Sequence, residues 1–536
     1  MEADQPAEQS YDYIIVGGGS AGCVLANRLS ESPRTTVLLI EAGPRDTSPV
    51  IHKPNGYLRT HRDPRLRWVF PLTADAGRGE CQGAFIGGKV LGGGSSINGM
   101  AYVRGHPEDY DSWANAGAPG WSWKHMLPCF MRMEDHELGG NDARGAGGPL
   151  HISRRRRSSS VSDALIQAGI SAGLSYSEDL NAFDGERIGY FPATIEHGRR
   201  VSAARAFLAP ITGRPNLTVL TDTLAHHVVF DGTRAVAVAC STNGAHRRFH
   251  AAQEILVCAG ALQSPKILQL SGVGPAQHLR SLDIAVIHDS PGVGANLRDH
   301  WGMWLQYRSL RRRDLVRLCR STGLPGRALR YLIRRTGMLM GSGAEIGAFV
   351  KAGRDSRRPD AALQFSPFSI MPDTVDSKWE PRLHCGTQLL RPESHGSVLI
   401  RSPDPMVAPE VRADFLSSEH DRRLIVDSVR YARRLLRQPP LEPFLGEEVS
   451  PGSSVQSDEE IIDLCRRSGA SGAHYAGTCK MGQDRVAVLD EKLRVRGVSG
   501  LRVVDGSVMP TLVSGNTNGP IMAIAWRAAD LILGQG

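Results

Sequence analysis

Three closely spaced glycines near the start of the chain, Gly17, Gly19 and Gly22, restrict its fold more than any other feature. They follow a β-rich run at 13–16 and begin a helical pattern over 21–29, after which a second β-rich run occurs. Strand, glycine turn, helix and strand make a βαβ unit, which begins a parallel sheet. Gly17 permits the tight turn, Gly19 lets the backbone approach a ligand, and Gly22 lets helix and strand pack closely. The chain is therefore predicted to be an α/β protein.

The same turn has the features of a dinucleotide site. A helix that begins at Ser20 and Ala21 directs free N–H groups and a partial positive charge toward the phosphates of a ligand. Glu41 lies about 20 residues beyond the glycines, where an acid accepts hydrogen bonds from ribose hydroxyls, and Ala42 follows it. A glycine-rich turn without a nucleotide is the alternative, but strand, turn, helix, strand and acid all occur in register. The carboxylate of Glu41 disfavours NADP because it would repel a 2′-phosphate, but the pattern does not separate FAD from NAD.

Composition and charge restrict the function classes. The chain has 536 residues, enough for two or three domains, and its nine cysteines include no Cys-x-x-Cys pair. Two arginine runs, 154–157 and 311–313, contribute to the net charge of +8 and are expected to be solvated loops rather than a nucleic-acid site. No apolar stretch has the length of a membrane span. The sequence thus predicts a cytoplasmic protein with no nucleic-acid partner, no metal site and no transmembrane segment, compatible with peripheral contact at the inner face of a membrane.

Several longer motifs resemble the glucose–methanol–choline (GMC) oxidoreductase family, and together they span nearly the whole chain. The first is GGKVLGGGSSINGM at 87–100, and the second is GALQSPKILQLSGVGP at 260–275. Their layout is most similar to the choline-dehydrogenase-like bacterial members. Shorter matches lie at 292–300, 474–479, 504–507 and 516–518.

The resemblance implies FAD as the cofactor and a fold that is α/β in class and α+β overall. A Rossmann-like FAD-binding domain would be discontinuous, and a substrate-binding domain built on an antiparallel sheet would complete the chain. Some family members attach FAD covalently through a histidine at the position of Ile97. Isoleucine cannot form that bond, so FAD is predicted to be non-covalent. The FAD-binding domain would comprise 10–150, 200–300 and 470–536, and the substrate-binding domain 151–199 and 301–469.

Particular contacts to FAD follow from the dinucleotide pattern and from the resemblance. The loop 92–98 is expected beside the isoalloxazine ring, Ala225 at the adenine, and Asp505 at the ribityl–pyrophosphate stretch. A helix beginning near Pro520 would direct its N-terminus toward the flavin, where its partial positive charge favours the anionic reduced form. The residues predicted to contact FAD are Gly17, Gly19, Ser20, Ala21, Gly22, Glu41, Ala42, Val90, Gly93, Ser95, Asn98, Gly99, Met100, Ala225, Asp505, Gly506, Asn516 and Thr517.

Oxidation of an alcohol removes a proton from its hydroxyl and a hydride from its carbinol carbon, and flavin N5 accepts the hydride. The protein must supply a base within hydrogen-bond reach of the hydroxyl. His474 is predicted to be that base, because a neutral imidazole suits the role and because its motif resembles the catalytic motif of the family. Asn516 stands where the family has His or Asn, and its amide can donate to the developing alkoxide. The alternatives are a histidine without a chemical role and an Asx turn.

Other functions stay open at this point. The family includes hydroxynitrile lyases, so a lyase or another non-oxidative flavoprotein is one alternative, and a non-catalytic FAD-binding protein is another. A photodecarboxylase of the family has a functional cysteine where this chain has Leu390, which argues against that chemistry. The expected substrate is a small-molecule alcohol, although no acid or aromatic cage for the trimethylammonium group of choline can be located. The sequence does not show whether the electron acceptor is quinone-like, a dye or O₂.

Residues near these motifs receive less specific interpretations. Asp299 and His300 match a motif and are interpreted as structural or supporting residues. Trp68, Phe70 and Trp113 are expected in the core rather than in a substrate wall, as is usual for large aromatic side chains.

Overall fold

The computed structural model describes two large sheets, several short strand pairs, and helices that pack on both sheets. Most of the two arginine runs, Arg155 to Arg157 and Arg312 to Arg313, lies outside the described residues. The residues that the structure describes are 9–73, 83–154, 159–183, 185–311, 344–366 and 382–535.

The first sheet has seven strands and contains the predicted βαβ unit. Five of its strands form a parallel set, and an antiparallel meander over 223–257 extends it on one side. The strands are, in spatial order, Leu217–Leu220, Val37–Ile40, Gln9–Val16, Ala245–Val257, Arg234–Thr242 and Thr223–Asp231, with Leu501–Val503 also paired to Ala245–Val257.

The first helix, Ser20–Leu29, connects the first two strands and packs against the C-terminal helix, Asn518–Ile532. Both helices bury apolar residues in the same core cluster as the strand residues of the first sheet. The predictions of strands at 13–16 and 36–40 and of a helix at 21–29 are confirmed, with differences in length only.

The second sheet has eight strands, and its pairings are antiparallel except for the one between its two N-terminal strands. One face packs on the helices Ser160–Ser171 and Glu419–Leu436, and the apolar side chains of both helices share a core cluster with the sheet. The strands are, in spatial order, Leu445–Ser450, Trp301–Ser309, Arg382–Leu389, Ala361–Ser366, Ile346–Val350, Arg187–Tyr190 and Ser175–Tyr176, with Ala470–Ser471 also paired to Trp301–Ser309.

The remaining elements are short and connect or cover the two sheets. The other α-helices are Pro49–His52, Tyr57–Thr60, Gly94–Ile97, Pro107–Asn115, Trp123–Met133, Ser264–Leu270, Ala276–Ser281 and Asp458–Ser468. Single turns of other helix types are Pro54–Gly56, Pro119–Trp121, Ala204–Leu208, Ala209–Ile211, Pro439–Leu441 and Gly506–Val508. Isolated strand pairs join Arg67–Pro71 to Ala84–Gly88, Glu134–His136 to Leu150–Ile152, Ile195–Glu196 to Arg199–Arg200, Val273–Gly274 to His288–Asp289, and Ser397–Leu399 to Glu410–Arg412.

The predicted fold class is confirmed, because a largely parallel sheet with helices occurs together with a second, largely antiparallel sheet. The two sheets are built from segments that interleave along the chain. The residue boundaries of the two expected domains stay a prediction. Among the described helices, none combines the length and the apolar character that a bilayer crossing requires.

Replacement of Gly22 by Ala tests the close packing of the first helix. A Cβ at Gly22 would lie 1.9 Å from the carbonyl oxygen of Gly17, so helix and turn must separate to accept it. We expect Gly22→Ala to destabilise the protein by about 1–3 kcal/mol or more, as overpacking does, and thus to lower the midpoint of thermal unfolding. Gly213→Ala is the control, since a Cβ there meets no atom within 4 Å. Equal midpoints for the two variants would contradict the packing argument.

Candidate active site

A single cavity of about 1070 Å³ is lined by residues of both sheets. Its wall includes Glu41, at the end of a strand of the first sheet, and Trp304, on a strand of the second. Small-molecule sites commonly measure roughly 300–1,000 Å³. The size and the lining therefore suit a dinucleotide together with a second, smaller molecule.

The glycine turn contributes the N-terminus of the first helix to this cavity. Gly17 has a φ of 109°, which favours glycine, and its N–H donates to the carbonyl of Ile40 at 2.8 Å. The helix begins after Gly19 with no side-chain cap and no acidic residue in its first turn. Ser20 and Ala21, at its start, line the cavity. Unsatisfied N–H groups and the helix dipole thus favour an anionic group at this point of the wall.

The Glu41 carboxylate lies next to the glycine turn and is buried. Its two oxygens accept hydrogen bonds from the backbone N–H groups of Gly18, at 2.9 Å, and Gly43, at 2.8 Å. Burial raises its pKa to about 7, and the two backbone donors oppose that rise. A carboxylate has about four acceptor positions, so this side chain can also accept hydrogen bonds from two ligand hydroxyls.

Asp505 lines the cavity where the first sheet meets the C-terminal segment. Its carboxylate accepts hydrogen bonds from the N–H of Gly260 at 2.8 Å, the hydroxyl of Ser264 at 2.5 Å and the N–H of Ser507 at 2.8 Å. Burial raises its pKa, and these hydrogen bonds oppose the rise. Asp505 therefore connects two loops of the wall in addition to facing the cavity.

The predicted flavin loop is held in place by hydrogen bonds of its polar side chains. The amide oxygen of Asn98 accepts from the N–H of Met100 at 3.1 Å and from the guanidinium of Arg200 at 2.7 Å. The hydroxyl of Ser95 accepts from the N–H of Ala203 at 2.8 Å. These contacts fix the backbone from 95 to 100 against the segment 200–203.

The N-terminus of the C-terminal helix is the second helix end at the cavity. The helix starts at Asn518, two residues before the expected Pro520, and Thr517 is its N-cap. It has no side-chain cap and no acidic residue in its first turn. The hydroxyl of Ser20 donates to the side-chain oxygen of Asn518 at 2.7 Å, so the two helix ends are adjacent. Both therefore direct positive potential into the same cavity.

His474 and Asn516 come together in the wall of the cavity, as predicted for a catalytic pair. The amide nitrogen of Asn516 is 2.9 Å from Nε2 of His474. Nδ1 of His474 is 2.8 Å from Nδ1 of His300, and Nε2 of His300 is 3.1 Å from the carbonyl oxygen of Leu390. These four groups form one continuous hydrogen-bond chain.

The hydrogen-bond chain determines which nitrogen of His474 carries the proton. The carbonyl of Leu390 can only accept, so Nε2 of His300 must carry a hydrogen. Burial lowers the pKa of His300 to about 4, so this ring is neutral at pH 7 and its Nδ1 is an acceptor. Nδ1 of His474 must then be the donor. Burial, and repulsion from His300, lower the pKa of His474 well below its ordinary value, so its Nε2 is unprotonated and its lone pair accepts from the amide N–H of Asn516.

Strand pairing explains why two histidines 174 residues apart in sequence are in contact. His300 immediately precedes the strand Trp301–Ser309, and His474 follows the short strand Ala470–Ser471. The two strands are antiparallel neighbours, with Trp301 opposite Ser471. The register of the second sheet therefore sets the separation of the two rings.

Asp299 positions the backbone of the histidine loop. Its buried carboxylate accepts from the N–H of His474 at 2.8 Å and from the hydroxyl of Ser471. Burial raises its pKa to about 7, and the hydrogen bonds from Ser471 and His474 oppose this rise. Both Asp299 and His300 thus have direct contacts with His474, which is consistent with the supporting role expected for them.

The structure brings most of the predicted residues together around one cavity. The predicted residues that line it are Gly17, Gly19, Ser20, Ala21, Glu41, Ala42, Gly93, Asn98, Gly99, Met100, Ala225, His474, Asp505, Gly506, Asn516 and Thr517.

Three predicted cofactor residues, Gly22, Val90 and Ser95, do not line the cavity. Gly22 packs against the glycine turn, Val90 is completely buried in a small apolar cluster, and the hydroxyl of Ser95 bonds to neighbouring backbone. These three residues support the wall from behind, and their contact with the cofactor stays a prediction.

Two aromatic residues that were expected in the core, Trp68 and Phe70, border the cavity; Phe70 is also buried in an apolar cluster, as expected, whereas Trp68 is only partly buried. They belong to the strand Arg67–Pro71, whose hairpin partner leads into the flavin loop, so their position follows from tertiary packing. Trp113 is fully buried in the core of the first sheet, as expected.

The second sheet contributes Trp304, Gln364 and Gln388 to the wall of the cavity. This contribution was not predicted from the sequence. A signal was present: polar and apolar residues largely alternate over 382–389, which is the pattern of a strand with two different faces. The alternation identifies the polar face but not what that face contacts.

The cavity fits FAD on observations that are independent of any resemblance. It has two adjacent helix N-termini for the pyrophosphate and the flavin and a buried acid for a ribose. At Gly94 and Gly260, which also line it, a Cβ would meet no protein atom within 4 Å and would project into this space. Within the described residues, no group of three or more His, Cys, Asp or Glu could hold a metal ion.

Comparisons with known proteins agree with this geometry. The family models described as GMC oxidoreductase match residues 11–302 and 392–525. The chain is 39% identical to mitochondrial choline dehydrogenase of Mus musculus, over 98% of this chain and 90% of that protein. It is 37% identical to alcohol dehydrogenase [acceptor] of Pseudomonas putida, over 98% of this chain and 96% of that protein.

A solved structure, that of pyridoxine 4-oxidase from Mesorbium loti, is similar with a TM-score of 0.88 and 31% identity. The similarity covers 98% of this chain and 100% of that one. The chain therefore belongs to the GMC oxidoreductase family, and it is an FAD-dependent oxidoreductase that acts on the CH–OH group of an alcohol.

Proposed function

We propose that this enzyme oxidises its alcohol with His474 as the base and Asn516 as the donor that holds the substrate oxygen. The observation that carries the proposal is the hydrogen-bond chain from Leu390 through His300 to His474, which leaves the lone pair of His474 Nε2 at the cavity. Each hydrogen bond in this network has a defined donor and acceptor. The tautomer of His474 that can act as a base is therefore fixed before the substrate binds.

FAD and the residues at the cavity have separate roles in the oxidation. When bound, FAD supplies a two-electron acceptor that takes the hydride from the carbinol carbon. Nε2 of His474 accepts the hydroxyl proton, and the amide N–H of Asn516 donates to the oxygen as negative charge develops on it. In the absence of substrate these two groups bond to each other at 2.9 Å, so a hydroxyl that binds between them replaces that single bond with two.

The way in which FAD is held is also part of the proposal. Glu41 binds the adenosine ribose, the start of the first helix binds the pyrophosphate, and the segment at Asn516 and Thr517 faces the flavin. Ile97 lines the cavity with a hydrocarbon side chain that offers no nucleophile for a covalent bond to FAD, which supports non-covalent binding. The separation into an FAD-binding domain and a substrate-binding domain, with the boundaries expected from the sequence, belongs to the same proposal.

The relatives support an alcohol as the substrate, and the two dehydrogenases among them favour a dehydrogenase, whereas the similar pyridoxine 4-oxidase makes O₂ the alternative acceptor. The names of two relatives identify them as dehydrogenases for choline and for an alcohol. A quinone-like compound or a dye is therefore proposed as the electron acceptor, and a cytoplasmic location with peripheral membrane contact is compatible with it. Anaerobic reduction by an alcohol, followed by mixing with either air or a quinone, measures which acceptor reoxidises the flavin faster.

Replacement of His474 tests the base directly. We expect His474→Ala to slow flavin reduction by an alcohol about 10²–10⁴-fold, the usual contribution of a positioned base, while the FAD content is unchanged. The measurement is flavin absorbance in an anaerobic stopped-flow experiment. His420→Ala, at an exposed histidine on the helix Glu419–Leu436, is the matched control and should behave as the wild type. A His474→Ala enzyme with full FAD and a wild-type rate would exclude this residue as the base.

Replacement of Asn516 tests the donor to the substrate oxygen. Asn516→Ala is expected to lower the rate constant of flavin reduction by about 10²–10³-fold, as the loss of one oxyanion donor commonly does. Asn516→Asp should not restore the rate, because a carboxylate cannot donate to the oxygen. Asn115→Ala, at an exposed helix end, is the control. An Asn516→Asp enzyme as fast as the wild type would show that donation is not required.

Replacement of His300 separates a positioning role from a merely structural one. His300→Leu removes the acceptor for Nδ1–H of His474, so the base can adopt the tautomer with its proton on Nε2. We expect the rate constant of flavin reduction to fall roughly 100-fold, without a matching change in the substrate dissociation constant. His300→Gln can still accept from His474 and donate to Leu390, so it should recover most of the rate. Equal losses in the Leu and Gln variants would argue against control of the tautomer.

A further inference from the structure

The cavity has an uncharged polar wall on the second sheet that the catalytic steps do not use. Successive side chains of a strand point to opposite faces. On these strands the apolar set, which includes Leu305, Leu363, Phe365 and Leu383, belongs to the buried core. The opposite face lines the cavity, and its side chains, here named the amide wall, are Trp304, Gln306, Gln364, Ser366, His384 and Gln388.

The centre of the amide wall is a flat niche. Gly386 lies opposite both Trp304 and Gln364 in the strand register. A Cβ at Gly386 would lie 2.8 Å from Cζ3 of Trp304, so the indole ring lies directly over this glycine. The ring is partly exposed and borders the cavity, which gives the wall one flat apolar surface.

Two glutamine amides lie beside this niche and are oriented by each other. The amide nitrogen of Gln364 donates to the side-chain oxygen of Gln388 at 2.9 Å. One lone pair of the Gln388 oxygen is thereby engaged and the amide plane is oriented, and the NH₂ group, with two N–H donors, is available to a ligand. The pair offers donors with a fixed direction and carries no net charge.

Gln388 is also close to the catalytic histidine. A Cβ at Gly472 would lie 2.5 Å from Nδ1 of His474 and 3.0 Å from Nε2 of Gln388. The imidazole and the amide nitrogen thus both lie close to the Cβ side of Gly472. A substrate whose hydroxyl is at His474 and Asn516 can therefore place a second polar atom at Gln388.

Charge distinguishes this wall from a site for a cation. Among the described residues that line the cavity, the carboxylates are those of Glu41 and Asp505, and both accept backbone N–H bonds around the proposed FAD position. Neither belongs to the amide wall. A quaternary ammonium group is commonly recognised by aromatic cages and by acids. The amide wall offers one indole and no acid, and the aromatic residues Trp68 and Phe70 line the cavity from a different strand.

We infer that the substrate is an uncharged alcohol with a second hydrogen-bond acceptor close to its carbinol carbon, which binds to the N–H groups of Gln388 while a flat part of the molecule lies on Trp304. The inference deepens the proposed function and rests on it, since the reacting hydroxyl must lie at His474. It assigns Gln388 as a residue that determines specificity and separates this chain from a choline enzyme despite the 39% identity to one.

Two pairs of isosteric alcohols test the inference with the FAD-loaded enzyme. Choline and 3,3-dimethylbutan-1-ol have the same shape and differ in charge. Pyridin-3-ylmethanol and benzyl alcohol differ in one ring acceptor. Anaerobic flavin reduction gives a rate constant and a dissociation constant for each alcohol. We expect the neutral member of the first pair and the pyridine member of the second to be favoured about tenfold, mainly through the dissociation constant, as one desolvated hydrogen bond can do.

Substitutions at Gln388 give the sharper result. Gln388→Met keeps the length but removes the donors, so the dissociation constants of pyridin-3-ylmethanol and benzyl alcohol should become nearly equal. Gln388→Glu places a carboxylate on the amide wall and should shift the preference toward choline by about tenfold or more. Gln167→Glu, at an exposed position of the helix Ser160–Ser171, adds the same charge outside the cavity and should change neither preference.

The outcomes distinguish a failure of the proposed oxidation at His474 from a failure of the inference about the substrate. If no alcohol in the panel reduces the flavin of the loaded enzyme, the proposed oxidation at His474 fails, and this inference fails with it. If the alcohols reduce the flavin but the wild type favours choline over its neutral isostere, the proposed function stands and the inference is overturned. The same holds if Gln388→Met retains the preference for the pyridine alcohol.

Discussion

The hydrogen bond between Nδ1 of His474 and Nδ1 of His300 is the interaction on which the chemistry of this enzyme depends. Two neutral imidazoles can share such a bond only if one is a donor and the other an acceptor. The carbonyl of Leu390 requires a hydrogen on Nε2 of His300, so Nδ1 of His300 is the acceptor and Nδ1 of His474 is the donor. A backbone group that never touches the substrate thus determines that the lone pair of the base is directed at Asn516 and the cavity.

The neighbouring contact between His474 and Asn516 connects the second sheet to the C-terminal helix that packs on the first sheet. His300 and His474 are delivered by neighbouring strands of the second sheet, whereas Asn516 immediately precedes the N-cap of the helix that packs on the first sheet. The base and the donor therefore converge only if both sheets have their observed positions. The cofactor end of the cavity depends on the first sheet in the same way, through the glycine turn and Glu41.

Electrostatic design differs between the two ends of the cavity. The cofactor end combines helix N-termini, which favour anionic groups, with acids that backbone N–H groups hold in place. The substrate end is formed by amides, an indole and hydroxyl groups on the polar face of the second sheet. Burial keeps the histidines neutral, so the base needs no nearby carboxylate in direct contact with its ring. The two ends thus suit a charged cofactor and the proposed neutral substrate by different physical means.

The sequence by itself determined the βαβ unit and predicted Glu41 as the ribose-binding acid and His474 as the base, because each of these predictions depends on local spacing or on a motif of a few residues. It did not determine which histidine contacts His474, that Trp68 faces the cavity, or that Gln388 lies beside the base. Those contacts join residues far apart in the chain. Strand register and sheet packing decide them, since a shift of one residue along a strand would turn each side chain to the opposite face.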